Sequence, residues 1–557
     1  MRVCYLMKPL RYILLLAALF GSPSPARSAR PEKPRLVIVI VFDQFPFEYL
    51  ERFRSEFHGG LATLLESGAN FTNVNYLHAQ CLTGPGHSVI MSGAYGDVSG
   101  IIANTWYDRS TKTLKYCVQD ESVSLVGAKG NGRSPALYLT SSLGDALRSQ
   151  THDSAKVISL SNKDRAAILL GGRRPDAVYW MVDSAFVTST FYGTHLPSWV
   201  TDFNHSGMIN SYFGASWQSA LPPSAFAKLD VDNAPYEEDR DGMGRTFPHP
   251  ITGNDRSHIT PSYYSALVTS PYGAKILAGF ATQAMLNEDL GRRGTTDLLC
   301  VSFSSTDYVG HAYGPDSHEV LEMAVAMDKI LMGFFTFVDS TVGLGHCLIA
   351  FTSDHGVAPI PEYIQAHSPG VDAGRVPEGY VHQAAEGILD RAYGDSGDGT
   401  WVEAVIDHNI YLRLPALLSR SISVNGAAQL LADSLRHVSH IAGTWNLLSH
   451  GGKKKGKLSA MVFRDYYPGR SGEVFYTLKP LYIEGGNSGT THGDPYRYNT
   501  HVPMILMGSG IHPGIYRRAS SPADLVPTLA HLLGITMTGG STGRILAEAL
   551  DSPFKNR

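Results

Sequence analysis

Three apolar runs in this chain each end in an acid or an imidazole, and no other feature restricts the fold as much. Arg35 to Phe42 (RLVIVIVF) stops at Asp43. Asp297 to Phe303 (DLLCVSF) leads into Ser304-Ser305-Thr306-Asp307-Tyr308-Val309-Gly310-His311, and Cys347 to Thr352 (CLIAFT) delivers Ser353-Asp354-His355-Gly356. Continuous β-branched runs fit strands buried on both faces, as in a parallel sheet covered by helices. In open sheets of that kind, ligands gather beyond the carboxyl ends of the strands. A further run, Ala155 to Leu160, delivers Asn162-Lys163-Asp164-Arg165. In an extended segment Lys163 and Arg165 point one way and Asp164 the other, so two cations could clamp a phosphoryl group. His501 to Met507 reads as another strand. Helices are expected at Gly59 to Gly68, Ala136 to Ser149 (with Ser134 and Pro135 as start signal), Ser317 to Phe337 and Asp524 to Leu533. The expected class is α/β, a mostly parallel central sheet sandwiched by helices.

Two stretches break the βα rhythm. Residues 176–296 are rich in aromatics, prolines and polar residues, with a closing helix near Gly273 to Asn287. Residues 370–485 hold a strand-like stretch (WVEAVIDHNIYLRL), a helix around Ala427 to Arg436 and the lysine cluster GGKKKGK, which reads as a solvated loop. Both are read as insertions forming a cap over one catalytic domain, 29–557.

Residues 1–28 carry the marks of a signal peptide: basic Arg2, Lys8 and Arg11, the short apolar run Tyr12 to Phe20, and small residues before Ser28. Their removal takes away four cations and no acid, moving the net charge from −4 to −8. Nucleic acid is therefore not expected as a partner. With no other spanning run, a periplasmic or secreted monomer without a membrane span is expected. Four cysteines remain in the mature chain. Cys81 with Cys117 and Cys300 with Cys347 could pair, or the thiols could be buried and free.

Thr83 stands in Cys81-Leu82-Thr83-Gly84-Pro85-Gly86-His87, a tight entry into an apolar run. A proline in the first turn fits a helix start, where free N–H groups and the helix dipole favour an anion. A hydroxyl held there is either a cap or a nucleophile for phosphoryl transfer. Asp43, Asp307, His311, Asp354, His355 and His492 (in Thr491-His492-Gly493-Asp494) supply oxygen and imidazole ligands without thiolate, a set that suits catalytic Zn²⁺. Two such ions about 4 Å apart can grip the attacking and leaving oxygens of an in-line displacement.

On these motifs (VFDQF, TGPGH, STDYVGHAYGPDS, TSDHG and THGD) the chain resembles the alkaline phosphatase superfamily in its type I phosphodiesterase/nucleotide pyrophosphatase-like branch. The resemblance covers nearly all of the mature chain. It implies two zinc ions, one held by Asp307, His311 and His492, the other by Asp43, Thr83, Asp354 and His355, with Thr83 the nucleophile that becomes phosphothreonine. Within that branch, Asn104 with Lys163 and Arg165 resembles bacterial alkaline phosphatases that use Lys and Arg where others place Mg²⁺. The implied substrates are small phosphate monoesters, with Asn104, Lys163 and Arg165 on the phosphoryl oxygens. A phosphodiesterase with the same metals is the alternative. His87, four residues after Thr83, departs from the arginine a sulfatase needs, and Gly86-His87-Ser88-Val89-Ile90 lacks the second glycine of a serine hydrolase elbow.

Overall fold

The alternation along the first run decides how the molecule is layered. Leu36, Ile38, Ile40 and Phe42 pack into one apolar cluster, and Val37, Val39 and Val41 pack into another on the opposite face. A strand with both faces buried lies inside a sheet between two layers. The computed structural model describes residues 1, 33–397, 399–449, 456–537 and 539–551. The expected signal segment and most of the lysine cluster lie outside those residues.

The main sheet has ten strands. In spatial order they are Gly514–Tyr516, Ala69–Phe71, Met504–Gly508, Cys347–Ser353, Leu36–Phe42, Asp297–Phe303, Val157–Ser161, Ala177–Val182, Ala185–Ser189 and Leu125–Val126. Leu36–Phe42 pairs in parallel with Asp297–Phe303 on one side and Cys347–Ser353 on the other, with Phe42 level with Phe303 and Ser353. Val157–Ser161 adds in parallel beyond Asp297–Phe303. The strands that deliver Asp43, Lys163, Asp307 and Asp354 are thus adjacent, parallel and in register at their carboxyl ends. Antiparallel pairs lie outside this group.

Residues 177–189 extend the main sheet, so the sheet reaches into the first part of the 176–296 segment. Residues 402–478 build a separate four-stranded antiparallel sheet with its own apolar cluster. There the strand-like stretch is a hairpin, Val402–Ile406 and Asn409–Leu412, turning at Asp407 and His408. The helix expected over Ala136 to Ser149 begins later, at Leu143. Ser142 and Asp145 form a reciprocal capping box, a stronger start than Ser134-Pro135. All four cysteines of the described residues are buried and free, so neither disulfide forms.

Candidate active site

Thr83 opens the helix Thr83–Ser92 behind an extended Leu82, and it is fully buried. The glycines of TGPGH have a steric reason. A Cβ on Gly86 would meet the Asp354 carbonyl oxygen at 2.3 Å. Glycine lets this helix start press against the strand end carrying Asp354 and His355. Gly84 N–H donates to Asn104 Oδ1 at 2.7 Å, which sets the Asn104 amide beside the same helix start.

Lys163 and Arg165 do reach the centre together, though not by alternation along a strand. Lys163 is the extended N-cap of the helix Asp164–Gly171, and Arg165 lies in its first turn. Lys163 Nζ bridges Asp43 Oδ2, at 2.8 Å, and Asp307 Oδ2. Arg165 Nη2 lies 3.2 Å from Thr83 Oγ1. Asp164 turns away to Arg133 Nε and the Tyr116 hydroxyl, and that hydroxyl in turn accepts from Arg165 Nη1 at 3.3 Å.

The acids and imidazoles form two groups, Asp307/His311/His492 and Asp43/Asp354/His355, each with ligand atoms within 4.8 Å of one another. In every imidazole Nδ1 faces a main-chain carbonyl: Thr490 O for His311 at 2.8 Å, Cys81 O for His492 at 2.8 Å, Gly356 O for His355 at 2.9 Å. A carbonyl only accepts, so Nδ1 carries the proton and each Nε2 turns a lone pair inward. Nε2 of His311 lies 3.2 Å, and that of His492 3.5 Å, from Asp307 Oδ1. His355 Nε2 is 3.4 Å from both Asp43 Oδ1 and Asp354 Oδ2.

This arrangement tests whether metal ions fit. Asp43 Oδ1, Asp354 Oδ2 and His355 Nε2 are all buried without a hydrogen-bond partner. Three acceptors facing one another need a cation among them. Burial drives the His355 imidazole down to about 3, so a proton on its ring does not fill that need. Burial, with Asp307 and Asp354 nearby, pushes the Asp43 carboxyl up. Burial acts the same way on Asp307, but His311 and Lys163 outweigh it and hold Asp307 ionised. The donors are carboxylate oxygen and imidazole nitrogen, with three outer ligands per group, which is the set of a catalytic zinc-type site with open positions.

The sequence reading gave no role in the site to two residues here. Gln44, next to Asp43 and held at φ 57°, donates Nε2 to Asp307 Oδ1 at 2.8 Å and its main-chain N–H to Asp354 Oδ1 at 3.1 Å. It therefore touches both groups. His87 joins Thr83 O, at 2.8 Å, to Ser302 Oγ, at 2.8 Å, and lies 3.1 Å from Asp354 Oδ2. Both residues stand inside the quoted motifs. The non-glycine residue in a left-handed turn was a backbone signal that no pattern of residue types carries.

Sheet, buried threonine and two groups of acids and imidazoles at adjacent strand ends define an α/β protein with a buried polar centre that could hold metal ions. Comparison narrows the class. The family model for type I phosphodiesterase / nucleotide pyrophosphatase matches residues 37–427, and the chain belongs to that family. It is 31% identical over 525 residues to alkaline phosphatase PhoV of Synechococcus elongatus, covering 93% of each chain. Identity to alkaline phosphatase PafA of Elizabethkingia meningoseptica is 28% over 556 residues, covering 98% of this chain and 100% of that one. The crystal structure of wild-type PafA superposes with a TM-score of 0.86 over 93% of this chain and 99% of that one. Murine ectonucleotide pyrophosphatase / phosphodiesterase 5, at 13% identity and a TM-score of 0.52, shares the fold.

Proposed function

We propose that the chain hydrolyses phosphate monoesters with Thr83 as nucleophile, at a centre of two zinc ions. Whole-chain likeness to alkaline phosphatases makes it a phosphoric monoester hydrolase. In this reading Asp307, His311 and His492 hold one ion, and Asp43, Thr83, Asp354 and His355 hold the other. The bound ions would supply the positive charge that favours the Thr83 alkoxide and the leaving oxygen.

The protein's own groups do the rest. Thr83 Oγ1, its proton given up to solvent, attacks phosphorus, the ester P–O bond breaks, and the alkoxide departs from the opposite side and takes a proton from water. Water then attacks the phosphothreonine and releases phosphate. Arg165, Lys163 and the Asn104 amide stabilise the charge on the transferred oxygens.

The observation that carries the monoester reading is the 3.2 Å approach of Arg165 to Thr83 Oγ1, with Lys163 across the site. A monoester exposes a charged oxygen that a diester covers with carbon. Cations beside the nucleophile therefore favour the monoester. The test compares 4-nitrophenyl phosphate with bis(4-nitrophenyl) phosphate on the metal-loaded protein. A higher kcat/KM for the monoester supports the reading, and the reverse assigns a phosphodiesterase.

The basic, then apolar, then small-residue start of the sequence supports export to the periplasm or beyond. No helix among the described residues is long and apolar enough to cross a membrane.

A further inference from the structure

A cleft of about 400 Å³ borders the catalytic centre on its His492 side and runs toward the second insertion. His492 belongs both to its wall and to the Asp307/His311/His492 group. The wall also carries the carboxylates Glu378, Asp407, Glu484 and Asp494 and the rings of Tyr476 and Tyr482, with no lysine or arginine among the described residues.

Several contacts hold the cleft against the nucleophile segment. Gln80, three residues before Thr83, donates Nε2 to the Asp407 carbonyl. His408 Nε2 stands 3.6 Å from Asp494 Oδ1, and its Nδ1 is buried with no hydrogen-bond partner. Glu484 accepts from the Tyr476 hydroxyl at 2.9 Å, fixing an acid and a ring side by side. Across the centre stand Lys163 and Arg165. The site therefore has two poles: cations where the phosphoryl group binds, and carboxylates with aromatic rings where the alcohol part would lie.

We propose that this cleft receives the leaving group and selects alcohols bearing an ammonium or quaternary ammonium group, so that the favoured substrates are zwitterionic phosphate monoesters of amino alcohols. The proposal rests on the monoester reading above. A cation is drawn by carboxylates and by the faces of tyrosine rings. An anionic leaving group meets like charge from the same wall. The volume lies in the range of small-ligand sites, so it admits such an alcohol whole.

The test measures kcat/KM of the metal-loaded full chain for phosphorylcholine, phosphorylethanolamine, phosphoglycolate and 4-nitrophenyl phosphate, at low and high salt. The ammonium esters are expected to exceed phosphoglycolate by about tenfold or more at low salt. That ratio should shrink as salt screens the wall. The double substitution Glu378→Gln/Glu484→Gln should lower it severalfold, mainly through KM. Equal kcat/KM for the ammonium and anionic esters, with 4-nitrophenyl phosphate turned over, overturns this proposal and leaves the monoester reading standing. A ratio unmoved by both salt and the double substitution also overturns it. If the variant does not fold, the salt dependence of the unaltered protein decides. Failure to hydrolyse any of the monoesters overturns both readings.

Discussion

Arg165 Nη2 meets Thr83 Oγ1 at 3.2 Å, so the first turns of two helices from different parts of the chain face each other across a buried hydroxyl. Replacing Lys163 and Arg165 together by alanine should lower monoester kcat/KM by ~10²-fold or more, on the scale of removing preorganised donors from a transition state. Diester turnover should fall far less. Steady-state rates on a matched nitrophenyl pair check this, and equal losses would refute the assigned contacts.

Thr83→Ala removes the proposed attacking oxygen while keeping the helix start. Turnover should drop by at least ~10³-fold. Acid-quenched protein incubated with ³²P-labelled monoester should retain label in the unaltered chain and none in the variant. A labelled variant would show that another group is the nucleophile.

Chelation should abolish activity and also weaken the fold. Without ions, Asp43 Oδ1, Asp354 Oδ2 and His355 Nε2 face one another with nothing between. Ions that bind only the folded chain stabilise it by mass action. We expect Tm to fall on treatment with a strong chelator and to return with added zinc, in a melting experiment followed by fluorescence. An unchanged Tm would argue against buried ions.

The close approach at Gly86 predicts a steric effect that reports on the site. Gly86→Ala places a Cβ against the Asp354 main chain, which lies at the end of a central strand and has little room to yield. The substitution should cost about 1–3 kcal/mol of stability. It should also lower metal content, measured by elemental analysis of the purified variant. Normal stability and metal content would show that the helix start can shift.

A pH effect is expected away from the centre. Burial, with Glu319 close by, pushes the Glu237 carboxyl up to about 9. Its value in the folded chain thus lies above that in the unfolded chain, and the folded chain holds the extra proton between the two. Stability is then greatest below the unfolded value and declines as pH rises toward and through about 9. Glu237→Gln should flatten that decline in Tm measured from pH 5 to 9.5. An identical slope in the variant would show that Glu237 does not titrate this way.

Much of this was open to a reader of the residues alone. The β-branched runs ending at Asp43, Asp307 and Asp354 located the central strands, because a strand buried on both faces leaves little freedom in composition. The acids and imidazoles named from chemistry come together as two groups, which spacing alone did not fix. Lys163 and Arg165 arrived at the centre for a different reason than alternation, since the helix begins at Asp164. Gln44 was missed because its role depends on a left-handed backbone turn. The strands at 177–189 were hard to assign to the sheet because their partners are fixed by tertiary pairing and not by local pattern.

The two ligand groups differ in how far along the chain they must wait. Asp43, Asp354 and His355 sit at the ends of two strands paired residue for residue, so all three side chains of this trio are present by residue 355. Its counterpart stays incomplete until His492 arrives on a loop tied to Cys81 and flanked by a contact from Gly489 to Tyr236. Loosening of the His492 loop alone would then cost the Asp307/His311/His492 group a member while leaving the other trio whole, so under the two-ion reading local damage should yield a half-loaded, silent protein before it yields an unfolded one.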